Sequence, residues 1–341
     1  MEQETSLQQG VELIERCRQE LARRIVGQKE MIDGLLTGLI AGGHILLEGV
    51  PGLAKTLAVK SLAEITGLAF KRIQFTPDLL PADLTGTLIW EQKTGSFSIR
   101  RGPVFSNVVL ADEINRAPAK VQSALLEAME EKQVTIGKAS YPLPDPFFVL
   151  ATENPIEHEG TYSLPEAELD RFLIKLIVTY PRPEEELDIV MGSAPFAADR
   201  AQLKGAPLSP VLDSGSLAFL RRLADTVHVD ESISKYIVSV VTATRPPAGK
   251  AAASVGVPGK PGEGVYRYIS FGASVRASMA MYRCSRIAAF FGGRNFVQPD
   301  DVKTAAAGVL RHRIVLSYEA QAEGLDADAV ISRILAHVPV P

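Results

Sequence analysis

One stretch decides the fold of this chain: Gly49-Val50-Pro51-Gly52-Leu53-Ala54-Lys55-Thr56. An apolar run at 44–47 precedes it and predicts a buried strand, and residues 57–67 follow it with the apolar spacing of a helix. Strand, glycine-rich turn, Lys-Thr and helix is the order that a phosphate-binding loop requires. The glycines let backbone N–H groups approach phosphate oxygens, and the helix N-terminus favours an anion. We therefore predict that residues 49–56 bind the phosphates of a nucleotide.

Two side chains of this loop are expected to have distinct roles. Lys55 would reach the β and γ phosphates as a point charge, and Thr56 would place its hydroxyl on Mg²⁺. Ala54 stands where the motif has its last glycine. A methyl group is tolerable there only at negative φ, so we expect negative φ at Ala54. The alternative interpretation of the whole stretch is an ordinary connection between a strand and a helix.

Two further apolar runs end in polar residues. Residues 108–111 predict a central buried strand that ends in Asp112 and Glu113, and residues 147–152 predict another strand, which Asn154 follows. Asp112 would hold Mg²⁺ through water, Glu113 would orient and deprotonate the attacking water, and Asn154 would hydrogen-bond that water or the γ-phosphate. The alternatives are capping of the next helix by the two carboxylates and a simple turn at Asn-Pro.

Three other residues or turns are candidates for contacts to a nucleotide. The turn before the first strand contains Ile25 and Val26, which could wall the adenine, and Gln28, which could offer a polar edge; the alternative is a joint between two helices. Arg171 ends a short helix, where a cation is favoured in any case. Arg276 lies in the first turn of a helix, where a cation opposes the helix dipole, and this points to a phosphate partner.

The composition bounds the class of protein. The 341 residues are enough for about two domains. No apolar run is long enough to cross a bilayer, the first residues lack a signal-peptide core, and the two cysteines, Cys17 and Cys284, are expected to be reduced thiols. The formal net charge of −4 gives no general attraction to nucleic acid. We therefore expect a cytoplasmic protein with no transmembrane segment and no nucleic-acid partner.

The pattern of predicted elements divides the chain into two domains. Residues 1–195 alternate strands and helices and form an α/β domain, with an N-terminal helix and hairpins inserted at 88–100 and 133–143. Strand signals disappear in residues 196–341, where helical periodicity recurs. The second domain is therefore expected to be helical.

Taken in order, these motifs resemble those of an AAA+ ATPase, in which a P-loop α/β nucleotide-binding domain is followed by a small all-helical lid domain. Several strings look like the MoxR family in particular: GVPGLAKT, ADEINRAP, ALLEAMEE, ATENP, LPEAELDRF and GASVRA. The resemblance covers about residues 20–320, and the two hairpins fall where this clade carries its helix-2 and pre-sensor-1 insertions. One departure is Val275, which stands where the family string usually has proline.

The resemblance implies roles for the candidate residues. The phosphate-binding loop would be the Walker A motif, and the two carboxylates at the end of the central strand would be the Walker B motif. Asn154 would be sensor 1, Arg171 the arginine finger and Arg276 sensor 2. The family is similar to chaperone-like ring ATPases that work with von Willebrand A-domain proteins on the maturation of protein complexes.

These features together predict a Mg²⁺-dependent ATP hydrolase that forms a homo-oligomeric ring, expected to be a hexamer, and remodels protein clients with a von Willebrand A-domain partner. Two other functions stay open. A nucleic-acid motor of the same fold would need a basic channel, against which the acidic net charge argues. An ATP-gated assembly scaffold with little turnover would not need Glu113 or Arg171.

Overall fold

The computed structural model describes residues 2–93, 95–155, 161–193, 207–246 and 264–341. Contacts divide the chain into two compact units. The first comprises Glu12–Phe172 and Leu176–Ala218, and the second comprises the residues up to Val11 with Leu173–Lys175 and Phe219–Pro341. The predicted domain boundary between residues 195 and 196 falls within 194–206, outside the described residues.

A five-stranded sheet is the centre of the first unit, and four of its strands lie entirely within that unit. Its strands are β1 (Ile45–Glu48), β2 (Phe70–Gln74), β5 (Val108–Asp112), β8 (Phe148–Glu153) and β9 (Ile174–Ile177). Their spatial order is β2-β5-β8-β1-β9, and β2, β5, β8 and β1 pair in parallel. Every residue of β5 is buried, as expected for a central parallel strand. The buried strands predicted from the apolar runs are confirmed.

The predicted hairpins are also present as separate two-stranded ribbons. One consists of β3 (Gly86–Glu91) and β4 (Ser96–Arg101), and the other of β6 (Gln133–Ile136) and β7 (Ala139–Pro142). Both pairs are antiparallel. In the sequence, each ribbon lies between two strands of the central sheet. The hairpins are therefore insertions that leave the order of the strands in that sheet intact.

Helices precede and connect the strands. Up to residue 193 they are α1 (Glu2–Ala22), α2 (Lys29–Ala41), α3 (Lys55–Thr66), α4 (Pro81–Thr85), α5 (Ala119–Glu131), α6 (Glu166–Leu169) and α7 (Pro183–Ser193). The helix after the predicted phosphate-binding loop, α3, buries residues at helical spacing, including Ala58, Leu62 and Ile65. It ends at Gly67, which has φ 62° and so provides the left-handed conformation that often closes a helix.

The second unit is mainly helical. From residue 214 onward the helices are α8 (Ser214–Thr226), α9 (Glu231–Thr242), α10 (Val275–Phe291), α11 (Pro299–Leu310), α12 (Tyr318–Ala322) and α13 (Ala327–His337). The expected helical lid is thus confirmed with one addition, a short antiparallel ribbon of β10 (Ile269–Phe271) and β11 (Val315–Leu316). These strands are only three and two residues long, too short to leave a periodic signal.

Two further expectations from the sequence concern membranes and thiols. Within the part of the chain that the structure describes, every helix is too short or too polar to cross a membrane. Cys17 and Cys284 are both buried free thiols, and burial raises the pKa of each to about 12. A thiol with such a pKa stays protonated and unreactive at neutral pH.

His44 is a buried imidazole that links β8 to α5. The backbone N–H of Val149 donates to Nδ1 at 3.0 Å, and Nε2 lies 3.2 Å from the carbonyl oxygen of Met129. Because Nδ1 accepts, Nε2 must carry the proton and donate, so the ring is neutral. Burial is the main cause that lowers the pKa of His44 from 6.5 to about 4.

We therefore expect acid to destabilise the protein through His44. Between the two pKa values, His44 is protonated in the unfolded chain but not in the folded chain. The contribution of neutral His44 to the free energy of unfolding is therefore fully present above about pH 6.5 and falls by about 1.4 kcal/mol per pH unit toward pH 4. The full effect is about 3 kcal/mol. Urea midpoints measured from neutral to mildly acid pH should fall more steeply for the parent than for His44→Gln. Parallel pH profiles of the two proteins would contradict this assignment.

Candidate nucleotide-binding site

The loop from Gly49 to Thr56 joins β1 to α3. Gly52 has φ 86°, which only glycine adopts without strain, and Gly49 lies so close to Val178 that a Cβ atom there would stand 2.7 Å from its carbonyl oxygen. The expectation of a negative φ at Ala54 is wrong, because this residue has φ 58° and ψ 15°. The left-handed conformation costs an L-residue about 1–2 kcal/mol. The loop keeps the backbone shape of a glycine at this position although an alanine occupies it.

Lys55 is the first residue of α3, and its half-buried ammonium group turns back onto the loop. Nζ donates to the carbonyl oxygen of Gly49 at 2.5 Å and to that of Glu153 at 3.4 Å. Burial lowers the pKa of Lys55, and the nearby carboxylates of Asp112, Glu113 and Glu48 act in the opposite direction. A half-buried cation with neutral backbone acceptors can exchange these for phosphate oxygens.

A cavity of about 420 Å³ lies over this loop. It is open at the carboxyl ends of the strands, where ligands of parallel sheets bind. Because β8 lies between β1 and β5, the residue after β8 stands between the loop and the two carboxylates. The lining residues are Pro51, Gly52, Ala54, Lys55, Thr56, Leu57, Arg72, Asp112, Glu113 and Asn154.

Asp112 ends β5, and both of its carboxylate oxygens are engaged. Thr152, at the end of β8, donates from Oγ1 to Oδ1 at 2.6 Å. Arg72 donates to Oδ2 from Nε at 2.9 Å and from Nη2 at 2.7 Å. Asp112 is only 8% exposed, so these partners offset the desolvation of a buried carboxylate.

Glu113 follows directly and has an unusual backbone. Its φ is 57°, a left-handed conformation that costs of order 1–3 kcal/mol and is enriched at functional sites. Its backbone N–H donates to Thr152 Oγ1 at 2.8 Å. Its Oε2 accepts from Gln74 Nε2 at 2.8 Å and lies 3.1 Å from Nε of Arg116. The side chain is therefore held at the rim of the cavity by two polar partners.

The structure brings together most of the predicted catalytic and phosphate-binding residues. Lys55, Thr56, Asp112, Glu113 and Asn154 line one cavity. The loop residues Pro51, Gly52 and Ala54 line it too. Gly49, Val50 and Leu53 belong to the loop without lining the cavity.

The predicted adenine contacts do not line this cavity. Ile25 is 1% exposed and belongs to the hydrophobic core. Gln28 has φ 33°, and its Nε2 donates to the carbonyl oxygen of Thr179 at 2.8 Å. Contacts of adenine with Ile25, Val26 and Gln28 stay predictions.

The two predicted arginines lie elsewhere. Arg171 follows α6, and its Nε lies 3.1 Å from Oε2 of Glu130 on α5. A four-residue helix such as α6 has little dipole, so the favourable helix end expected for a cation explains little here. Arg276 lies in the first turn of α10 in the second unit, where its backbone N–H donates to Oγ of the capping Ser274. Their roles as arginine finger and sensor 2 stay predictions.

Three residues that hold Asp112 and Glu113 in place were missed by the sequence analysis: Arg72, Gln74 and Thr152. Arg72 and Gln74 alternate along β2, so both point to one face, and each holds one of the two carboxylates of β5. The sequence does contain a signal: Arg72 and Gln74 are polar residues on β2, and the strand beside it in space, β5, leads into Asp-Glu. It was not usable without the knowledge that β2 and β5 are paired.

The chemistry of the donor groups fits a magnesium ion with a bound nucleotide. Magnesium prefers oxygen ligands and is usually held by one or two carboxylates and substrate phosphates. Asp112 supplies a carboxylate, Thr56 a hydroxyl, and both line the same cavity. The guanidinium of Arg72 at Oδ2 shows that this oxygen already attracts a cation.

Comparisons with known proteins agree with this geometry. The model of the ATPase family associated with various cellular activities (AAA) matches residues 44–174, and the AAA lid domain matches residues 265–334. The chain is 46% identical over 333 residues to Chaperone MoxR1 of Mycobacterium tuberculosis, covering 97% of this chain and 83% of that protein. It is 43% identical over 332 residues to the uncharacterized protein YeaC of Bacillus subtilis, covering 96% and 95%. A crystal structure from Cytophaga hutchinsonii matches with a TM-score of 0.84 and 46% identity, covering 99% of this chain and 98% of that one.

Phosphate-binding loop, paired carboxylates and helical lid unit define the AAA+ class of P-loop proteins. The relatives that span nearly the whole chain are more specific than the fold. The chain belongs to the MoxR family of chaperone-like AAA+ ATPases, as its sequence motifs indicated.

Thr152 offers a test of how this site is held together. Thr152→Val keeps the shape but removes the hydroxyl that serves both Asp112 and the N–H of Glu113, and leaving such buried groups unpaired costs about 1–3 kcal/mol. We expect a lower free energy of unfolding and weaker binding of Mg²⁺-nucleotide, measured by urea titration and calorimetry. Thr152→Ser is the matched control, because it keeps the hydroxyl and loses a methyl group. Equal effects of the two variants would contradict the positioning role.

Proposed function

We propose that this protein hydrolyses ATP with Mg²⁺. The observation that carries the proposal is the single cavity that gathers Lys55 and Thr56 at a helix N-terminus with Asp112, Glu113 and Asn154 at the ends of two neighbouring strands. Cations and backbone N–H groups on one side and carboxylates on the other suit a phosphoryl group and the water that attacks it.

Each residue has a defined part in the proposed reaction. Lys55 and the loop N–H groups bind and orient the phosphates, and Asn154 positions the attacking water. Glu113 accepts a proton from that water as the water oxygen bonds to the γ-phosphorus, and the bond from phosphorus to the β–γ bridging oxygen breaks to give ADP and phosphate. Asp112 and Thr56 would hold Mg²⁺, which when bound neutralises charge on the phosphate oxygens.

In the proposed assembly the subunits form a ring, expected to have six members, in which Arg171 completes the site of the neighbouring subunit. Membership of an AAA+ family supports oligomers of this type. A ring is built from heterologous contacts, so one face of each subunit meets a different face of the next. Arg171 does not line the nucleotide cavity of its own subunit, which is expected of a residue that acts on the site of a neighbouring subunit.

The proposed task of the ring is chaperone-like remodelling or maturation of protein complexes in the cytoplasm, with a von Willebrand A-domain partner and a protein client. One relative is named a chaperone, which supports the protein client. The two buried free thiols suit a reducing compartment. The partner rests on the family resemblance alone.

The first test concerns the base. Glu113→Gln keeps the shape and the contact with Gln74 but cannot accept a proton, so it should bind ATP with parental affinity and turn it over about 10²–10⁴-fold more slowly. Calorimetry gives the affinity and phosphate release gives the rate. Glu127→Gln is a charge-matched control, since Glu127 is exposed on α5. Parental turnover by Glu113→Gln would place the base elsewhere.

The second test concerns the ring. Arg171→Ala should bind ATP through its intact loop but lose about 10³–10⁵-fold in turnover, because an arginine supplied by a neighbour contributes that much to phosphoryl transfer. Lys55→Ala should also be inactive, because its loop no longer holds the phosphates, yet it keeps its arginine. When subunits of the two variants exchange freely, about a quarter of the interfaces pair an intact loop with an intact arginine, and activity should return in proportion.

The matched control replaces Lys55→Ala by the double variant Lys55→Ala/Arg171→Ala. Mixing it with Arg171→Ala gives rings of the same composition at Lys55 but with no arginine to donate, so no activity should return. Recovery in this control, or none in the first mixture despite demonstrated co-assembly, would argue that Arg171 does not act between subunits.

A further inference from the structure

Arg72 is the cation of the cavity to which the proposed reaction gives no part. It lies on β2, the edge strand next to β5, and its guanidinium donates to one oxygen only of Asp112, with Nε at 2.9 Å and Nη2 at 2.7 Å from Oδ2. Nη2 also donates to Oε1 of Gln74 at 2.7 Å. Both hydrogen bonds from Arg72 to Asp112 therefore reach Oδ2, whereas the other partner, Thr152, contacts Oδ1.

The two partners of Asp112 differ in freedom. Thr152 is fully buried at the end of β8 and already serves the backbone N–H of Glu113, so it is fixed. The side chain of Arg72 is 49% exposed, whereas that of Asp112 is 12% exposed. Arginine carries a long, flexible stem and loses little hydration when it is half-exposed. Arg72 can therefore leave Asp112, while Asp112 stays where it is.

We propose that Arg72 is the counter-ion of Asp112 before Mg²⁺ binds, and that Mg²⁺ arriving with the nucleotide displaces the guanidinium from Oδ2. This inference rests on the proposed binding of Mg²⁺-ATP. Two cations that use the same oxygen compete and repel each other. Arg72 is thus a positioning residue that keeps a buried carboxylate paired when no metal is bound, so that metal binding replaces one cation at Asp112 by another.

The substitution has two consequences of opposite sign. With the metal absent, the charge of Arg72 in the cavity wall adds to that of Lys55 and attracts the nucleotide phosphates. With the metal present, Arg72 opposes the metal at Asp112. Loss of the arginine should therefore weaken binding of metal-free nucleotide and should not weaken, or should strengthen, binding of the Mg²⁺ complex.

The experiment measures the affinity of a non-hydrolysable ATP analogue, adenylyl imidodiphosphate, by calorimetry in excess EDTA and in saturating Mg²⁺. The readout is the dissociation constant in EDTA divided by that in Mg²⁺. Metal binding by the analogue in solution is the same for every variant and cancels between them. For Arg72→Gln we expect this ratio to be about fivefold higher than for the parent, the size of effect that a half-exposed ion pair supports. Arg72→Lys, which keeps the charge but not the planar fork, should give an intermediate ratio.

Lys71→Gln is the matched control, because it removes a positive charge from the adjacent exposed position of the same strand and should leave the ratio unchanged. An unchanged ratio in Arg72→Gln, or weaker binding of the Mg²⁺ complex with the EDTA value unaltered, would overturn the inference. If Arg72→Gln fails to fold, as judged by its melting transition, the ratio for Arg72→Lys decides alone. A parent that binds no analogue under either condition would instead refute the proposed function.

Discussion

The buried carboxylate of Asp112 sets the arrangement of everything around it. A charged group at the end of a central strand is unfavourable unless each of its oxygens finds a partner. Thr152 satisfies one oxygen from β8 and Arg72 the other from β2, so the ends of three adjacent strands are fixed relative to one another. The hydroxyl of Thr152 also accepts a hydrogen bond from the backbone N–H of Glu113, and so it holds that backbone in place as well. The geometry of the predicted base thus depends on how the charge of the predicted metal ligand is neutralised.

Backbone strain is found at two positions of the same cavity. Ala54 and Glu113 both have positive φ, a conformation that costs L-residues energy and persists only where the surroundings impose it. Ala54 immediately precedes α3, where the chain must turn sharply so that the N–H groups of the helix start face the cavity. Glu113 immediately follows β5 and begins the turn at Ile114–Arg116. The packing of the central sheet, to which both residues are attached, offsets the energy that these two conformations cost.

The sequence predicted the parts of this site that lie within one contiguous motif. Lys55 and Thr56 follow from a loop with fixed spacing, and Asp112 and Glu113 from an apolar run that ends in acid, because local sequence determines both features. Arg72 and Thr152 were not predicted, since their importance arises only when β2 and β8 lie on either side of β5. The sign of φ at Ala54 was predicted wrongly. The prediction considered only that an alanine prefers negative φ, whereas the path of the loop between β1 and α3 imposes positive φ. In each case the missing information was tertiary.

Helix α5 connects the two ends of the proposed chemistry within the first unit. Near its start, Nε2 of Gln122 donates to the carbonyl oxygen of Ile114, the residue after Glu113, at 3.1 Å. Near its end, Glu130 pairs with Arg171, and between them Ser123 donates to Glu168 of α6 at 3.0 Å. The buried face of α5, including Leu125 and Met129, packs into the hydrophobic core. A helix fixed along one face is a stiff element with a rise of about 1.5 Å per residue. Arg171 and the turn behind Glu113 therefore contact the same helix, so a movement of that helix would act on both.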